Sequence, residues 1–146
     1  MARAEASVVI NRPVEEVFAF ASNPENEPQW STGILESKQT SAGAMGVGTT
    51  LQGVSHLLGR RIEWSSEVTE YERNRKIRYK ASLPPPLSLE QTLIFEPVEG
   101  GTRVTIIAEG EAGGFFRLAE PIVVRMYERQ MEASVANLKD ILEAEA

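Results

Sequence analysis

The end of the chain constrains its fold most. Gly100-Gly101 joins two apolar strand-like runs, Leu89–Val98 and Thr102–Ala108, and after Gly110, Gly113 and Gly114 one long helical pattern runs from about Phe115 to Leu142. Helices in proteins draw most of their stability from packing an apolar face rather than from propensity alone. The only large surface available to this helix is the sheet that the preceding strands form. A curved antiparallel sheet gripping one long terminal helix tends to leave a space between the two. The functional question is what fills it.

Upstream, Glu5–Asn11 reads as a short strand centred on Val8, Val9 and Ile10. Pro13 suits the first position of a helix, where its missing N–H costs nothing. Glu15 and Glu16 fall in the first turn, where the helix dipole favours them, and Val14, Val17, Phe18 and Ala21 follow the i, i+3, i+4, i+7 rule. Asn23 is a suitable N-cap for a second short helix that ends near Pro28 and Trp30. From residue 33 the period changes to two. Strands are expected at Ile34–Thr40, Thr49–Leu58, Arg61–Tyr71 and Ile77–Leu83, with turns at Gly43, Gly46 and Gly48 and at Gly59. Ile62, Trp64, Ser66 and Val68 share one face; Glu63, Ser65, Glu67 and Thr69 share the other. Pro84-Pro85-Pro86 belongs to a loop at the sheet rim, because proline cannot sit inside a sheet. Leu89, Gln91, Leu93 and Phe95 share a face, as do Val104, Ile106 and Ala108. Short turns between consecutive strands predict an antiparallel meander, with one face on a core and the other in water.

The 146 residues fit one domain, 1–146. A chain of this size buries roughly 68–70% of its unfolded surface and needs no staple to fold. It has no cysteine, which excludes disulfides, thiol nucleophiles and thiolate metal sites. With a single histidine as well, a His-rich or Cys-rich metal site is impossible, and no metal or cofactor is expected. Met1–Ile10 lacks the apolar core of a signal peptide, and no run approaches the ~18 apolar residues of a membrane span; a cytoplasmic location is the expectation. A net charge of −6 repels phosphate backbones, so nucleic acid is not expected as a partner. The basic cluster Arg73, Arg75, Lys76, Arg78 and Lys80 reads as the solvated face of a strand, or else as a contact for an acidic head group. Monomer and homodimer are both open.

In the terminal helix Val124, Tyr127, Met131, Val135, Leu138 and Leu142 form one stripe, and Arg125, Arg129, Glu132, Lys139 and Glu143 lie opposite. Ile122, Val123, Met126, Gln130, Ser134 and Asn137 flank the stripe. The apolar arc is thus wide at the start of the helix and narrow at its end. Tight packing is expected for the C-terminal half. The N-terminal half, with Phe115 and Phe116 before it, is expected to cover the mouth of a cavity.

The order of these elements, with the runs Arg12-Pro13-Val14-Glu15-Glu16-Val17-Phe18, Asn23-Pro24-Glu25-Asn26-Glu27-Pro28-Gln29-Trp30 and Phe95-Glu96-Pro97-Val98-Glu99-Gly100-Gly101-Thr102-Arg103-Val104-Thr105, resembles the polyketide cyclase/dehydrase and lipid-transport family of the START-like, Bet v 1-like (SRPBCC) superfamily. The resemblance covers nearly the whole chain. It implies an α+β helix-grip fold: a seven-stranded curved antiparallel sheet around a long C-terminal helix, two short helices after the first strand, and an internal cavity for a hydrophobic ligand. Some members cyclise or dehydrate polyketides. By position, the resemblance puts Trp30 on the short-helix side of the cavity and Trp64, Tyr79, Gln91, Leu93 and Phe95 on its wall. It transfers no catalytic set.

The residues themselves leave the chemistry open. His56 lies in a strand whose inward face is ambiguous, since Leu51, Gly53, Ser55 and Leu57 compete with Gln52, Val54, His56 and Leu58. Facing inward, its imidazole would suit acid/base work near neutral pH, with Tyr79 as a hydrogen-bond donor; facing outward, it is an ordinary surface group. Glu63, Glu67 and Glu109 alternate toward solvent. Gly46-Val47-Gly48 lacks the strand-to-helix setting of a dinucleotide loop and reads as a turn. Three functions follow. The first is a module that binds a small hydrophobic or amphipathic molecule (lipid-, quinone- or polyketide-like) through Trp30, Trp64, Tyr79, Gln91, Leu93, Phe95, Phe115, Phe116, Ile122 and Met126. The second is a polyketide cyclase or dehydratase using His56. The third is a protein with a collapsed cavity that acts through its surface.

Overall fold

A computed structural model describes residues 2–57, 59–83, 88–111 and 120–144. Seven strands, β1 (Ala2–Ile10), β2 (Ile34–Gln39), β3 (Thr50–Leu57), β4 (Arg60–Glu72), β5 (Lys76–Ser82), β6 (Ser88–Val98) and β7 (Gly101–Glu111), form one antiparallel sheet in the order β1-β7-β6-β5-β4-β3-β2. The meander runs from β2 to β7 as the short turns require. β1 then completes the sheet by pairing with β7 from Ala2↔Gly110 to Ile10↔Thr102. The helix α1 (Val14–Ala21) and the four-residue α2 (Glu27–Trp30) lie between β1 and β2, and the long α3 (Glu120–Ala144) ends the chain. The fold is the expected α+β helix grip. The second short helix is split: Asn23 caps a 3-10 turn at Pro24–Asn26, its Oδ1 accepting from Glu25 N at 3.1 Å, before α2 begins. The helical pattern from Phe115 is realised from Glu120; Phe115 and Phe116, like Pro84-Pro85-Pro86, lie outside the described residues.

The Gly100-Gly101 turn shows why glycine stands there. Gly100 has φ +89° and Gly101 φ +139°. A Cβ on Gly101 would lie 1.9 Å from the carbonyl oxygen of Ile10, so only glycine lets the β6–β7 hairpin meet the end of β1.

The inner face of the sheet changes in side-chain size along its strands. At the end near that hairpin stand Ile77, Leu93, Phe95, Val104 and Ile106, all buried. They pack against Met131, Val135, Leu138 and Leu142 of α3 and against Phe18 of α1. Phe18 meets Tyr71 and Phe95 edge to face at ring separations of 5.7 and 5.0 Å, the arrangement that aromatic quadrupoles prefer. Two residues further along each strand the inner face becomes small: Ala4, Ala108, Ala81 and Ser66 are in register around Tyr79, Gln91 and Leu89. Among the described residues the large apolar side chains are therefore concentrated at the hairpin end of the inner face.

Polar contacts fix the helix at both flanks. At its C-terminal end Glu143 accepts from the Asn11 amide at 2.9 Å and from Lys139 Nζ at 2.7 Å, while Lys139 also donates to the Val9 carbonyl at 2.7 Å. On the other flank Ser134 Oγ accepts from Thr32 N at 2.8 Å, and Asn137 Nδ2 donates to the Trp30 carbonyl at 3.4 Å. α3 thus lies along β1, and α2 bridges α3 to β2, the opposite edge of the sheet. On the outer face Lys76 pairs with Glu70 at 3.0 Å, and Arg78 with Glu90 and with Glu109 at 3.8 Å. Those cations of the basic cluster are compensated by their own neighbours, as on an ordinary solvated strand face.

Candidate functional site

Strand register decides which side chains face the helix. Leu51 pairs with Ser66, Gly53 with Trp64, and Val68 with Tyr79, so Leu51, Gly53 and Ser55 point inward and Gln52, Val54 and His56 outward. Ser37, Gly53 and Trp64 stand side by side on β2, β3 and β4. The Trp64 indole folds across its neighbour: a Cβ on Gly53 would lie 2.3 Å from Cζ2 and 2.7 Å from Cε2 of that ring. The same Cβ would lie 2.2 Å from the Glu36 carbonyl oxygen, so only glycine fits between that backbone and the indole.

This row carries unsatisfied polar atoms. Trp64 Nε1, Ser37 Oγ and Trp30 Nε1 are buried without a hydrogen-bond partner among the described residues. A buried donor left unmade costs about 1–3 kcal/mol, and such groups ordinarily find a partner. Trp64 keeps part of its ring exposed while its N–H is enclosed.

Glu27 joins the same region. It opens α2, and Trp30, one turn on, is only 2% exposed. Residues three apart share a helix face, so the burial of Trp30 turns Glu27 inward. Glu27 is half-buried, and burial pushes its pKa up to about 7, against a weaker opposing effect of the Ser37 hydroxyl. Ser37 Oγ is close enough to influence the carboxyl yet lacks the geometry of a full hydrogen bond. Burial, and then the charge of Glu27, raises Tyr79 far above the usual phenol range and pushes Tyr127 up to about 12. Glu27 on α2 is thus near enough for its charge to act on Tyr79 of β5 and Tyr127 of α3.

Trp64, Tyr79, Gln91, Leu93 and Phe95 share the inner face of the sheet, but Phe95 stands at the Gly100-Gly101 end and Trp64 toward the other end of the strands. Leu93 and Phe95 are packed core (2% exposed each), while Gln91 is half-buried. Two expectations fail. His56 is exposed on the outer face opposite Arg61, because alternation gives the inward positions to Leu51, Gly53 and Ser55; it cannot be an acid or base in the interior. Ile122 and Met126 are 68% and 50% exposed. At 100° per residue they lie across the helix from Tyr127 and Leu138, so they do not line the space. Phe115 and Phe116 lie outside the described residues. Glu27 is what the sequence reading missed; its i, i+3 spacing from the apolar Trp30 was the available signal.

A groove of about 600 Å³ opens on β2–β4, lined by the outward residues Glu36, Lys38, Gln52, Val54, Glu63 and Ser65 and also by Ser37, Gly53 and Trp64. It is open and polar, unlike pockets for apolar molecules. Among the described residues no group of three His, Cys, Asp or Glu side chains is placed to hold a metal ion, and no helix is long and apolar enough to cross a membrane.

Over residues 1–143 the sequence matches the family described as polyketide cyclase/dehydrase and lipid transport. The chain belongs to that family. No functionally curated protein matches it. Among solved structures it is similar to a START superfamily protein from Mycobacterium smegmatis, with a TM-score of 0.82 at 16% identity over the full length of both chains. A protein from Thermus thermophilus superposes with a TM-score of 0.79 at 21% identity, over 99% of each chain. The di-domain ARO/CYC protein BexL of the BE-7585A biosynthetic pathway gives 0.78 at 20% identity, covering 98% of this chain and 47% of that one. At these identities the likeness shows the fold.

Proposed function

We propose that this member of the polyketide cyclase/dehydrase and lipid-transport family binds a small hydrophobic or amphipathic molecule between the sheet and the N-terminal half of α3. The carrying observation is the buried N–H of Trp64, without a partner among the described residues; the small inner-face residues Ala4, Ala81 and Ala108 elsewhere on the sheet support room for a ligand under the helix. Apolar walls supply affinity and a few polar groups fix orientation, as in most small-molecule sites. Lipid-, quinone- and polyketide-like molecules all have this character.

The test is native mass spectrometry of the protein as purified, followed by denaturation to identify any released molecule. A stoichiometric apolar adduct is expected, with occupancy reduced at least ~10-fold in Trp64→Ala. A clean apo mass, together with no rise in melting temperature from any apolar compound supplied at ~100-fold its expected Kd, where linkage should give about 2.7 kcal/mol, would sink the reading. Acid/base catalysis at the same place is the second reading. It is favoured by Glu27, whose burial raises its pKa to about 7 and whose charge acts on Tyr79, and owes nothing to His56.

A further inference from the structure

We propose that Gln91 is the specificity-determining contact of the ligand space: its side-chain amide hydrogen-bonds a hydroxyl or carbonyl oxygen on an otherwise apolar molecule. The inference rests on the ligand-binding reading above and adds the chemistry that the site recognises. Gln91 alternates with Leu89, Leu93 and Phe95 on β6 and so points inward, between Tyr79 on β5 and Ala108 on β7. β6 is an interior strand of the sheet, so an inward side chain on it can be reached only from the space under α3. Tyr79, Leu93, Phe95 and Ala108 are all buried. Gln91, in their midst, keeps part of its surface open, and its amide makes no hydrogen bond to any described residue.

A glutamine at this position separates ligand classes. Leucine there would continue the apolar face of Leu89, Leu93 and Phe95 and bury more apolar surface. The amide carries two donors and an acceptor. It can meet a hydroxyl in both directions and a carbonyl through its N–H. A plain hydrocarbon seated over it would strip its water and leave it unmet. Sites built on a hydrogen bond reject the analogue that lacks it far better than apolar pockets sort ligands by size. The floor around the amide is low. Ala108 stands beside it, and one inward row further on Ala81 and Gly110 flank Leu89. None of these three has a side chain larger than a methyl group, so an apolar body can lie over them while its oxygen rests on Gln91. Tyr79 stands directly opposite in the ladder, where cross-strand Cβ atoms are about 4.5–5.5 Å apart, and its ring walls the side toward β4.

Displacement of the fluorescent reporter N-phenylnaphthylamine by a matched pair tests this: 2-naphthol and 2-methylnaphthalene, which differ by a hydroxyl in place of a methyl. Gln91→Leu replaces the amide with an apolar group of similar size, and circular dichroism checks that it folds. The ratio of the two displacement constants should swing about 10-fold or more toward 2-methylnaphthalene in the variant. In the wild-type protein the side-chain NH₂ resonance of Gln91 should shift on adding 2-naphthol and far less on adding 2-methylnaphthalene, a readout that needs no variant. If the competitors displace the reporter but the ratio moves less than about 3-fold, or the resonance answers both alike, Gln91 is not the contact and this inference is overturned while the ligand-binding reading stands. If neither the reporter nor either naphthalene binds, the reading and the inference fall together.

Discussion

At the scale of single residues, Glu27 holds a conflict that should be visible without any ligand. Its pKa is about 7 in the folded chain against an ordinary value of 4.5. Between those values the native state keeps a proton that the unfolded state releases, so stability falls as pH rises through this window. The contribution is fully present below about pH 4.5 and lost above about pH 7. Two and a half pK units correspond to roughly 3 kcal/mol at most; with part of the residue still in contact with water, about 2 kcal/mol is the better expectation. Urea melts of wild type and Glu27→Gln at about pH 5 and pH 8 should therefore diverge, the wild type losing about 2 kcal/mol more than the variant. Parallel losses in both would show that the carboxyl is solvated. Glu27 was hard to read from sequence because Asn26-Glu27-Pro28-Gln29 looks like a polar turn. Its direction depends on a four-residue helix starting at Glu27 rather than a few residues earlier. His56 was ambiguous for the opposite reason: Thr50–Leu57 has apolar residues on both faces, and only its pairing with β4 decides between them.

At the scale of elements, α3 shows what periodicity can and cannot tell. The stripe of Met131, Val135, Leu138 and Leu142 is buried as read, Leu138 completely. Leu138→Ala should cost about 2–5 kcal/mol, since the surrounding sheet cannot collapse into the hole. Ile122 and Met126 looked equally apolar, but one helical turn cannot face the sheet all the way round. Met126→Ala should change stability by no more than about 0.5 kcal/mol. Chemical denaturation of the two variants checks both, and a loss above about 1.5 kcal/mol at Met126 would mean that its side chain is packed after all. The strands were legible because alternation survives in β4 to β7, where one face is apolar and the other charged. The β1–β7 pairing was not, since nothing in a meander of short turns says which edge the first strand joins.

At the scale of the whole molecule, the gradient of side-chain size makes the two ends of the sandwich differ. Near the Gly100-Gly101 hairpin the space is filled by Phe95, Val104 and Ile106 against Leu138 and Leu142, and the helix is tied there by Glu143, Lys139 and the Asn11 and Val9 backbone. Away from the hairpin the described inner face includes the small residues Ala4, Ala81 and Ala108, and near the start of α3 Ile122 and Met126 already face water. Local opening free energy follows the density of buried apolar contacts. Amide hydrogen exchange should therefore be graded along one continuous helix: amides of 131–142 exchange only with global unfolding, and amides of 124–128 exchange at least ~100-fold faster. Uniform protection along α3 would mean that the sheet is filled from end to end and that no room is left for a ligand. The same measurement reports on occupancy. A molecule seated against Trp64, Tyr79 and Tyr127 supplies the contacts that the small residues leave out, so its binding should slow exchange at 124–128 selectively. Because the C-terminal half is already limited by global unfolding, it should gain no more than the overall stabilisation. A ligand that protected both halves equally would instead be bound elsewhere on the fold.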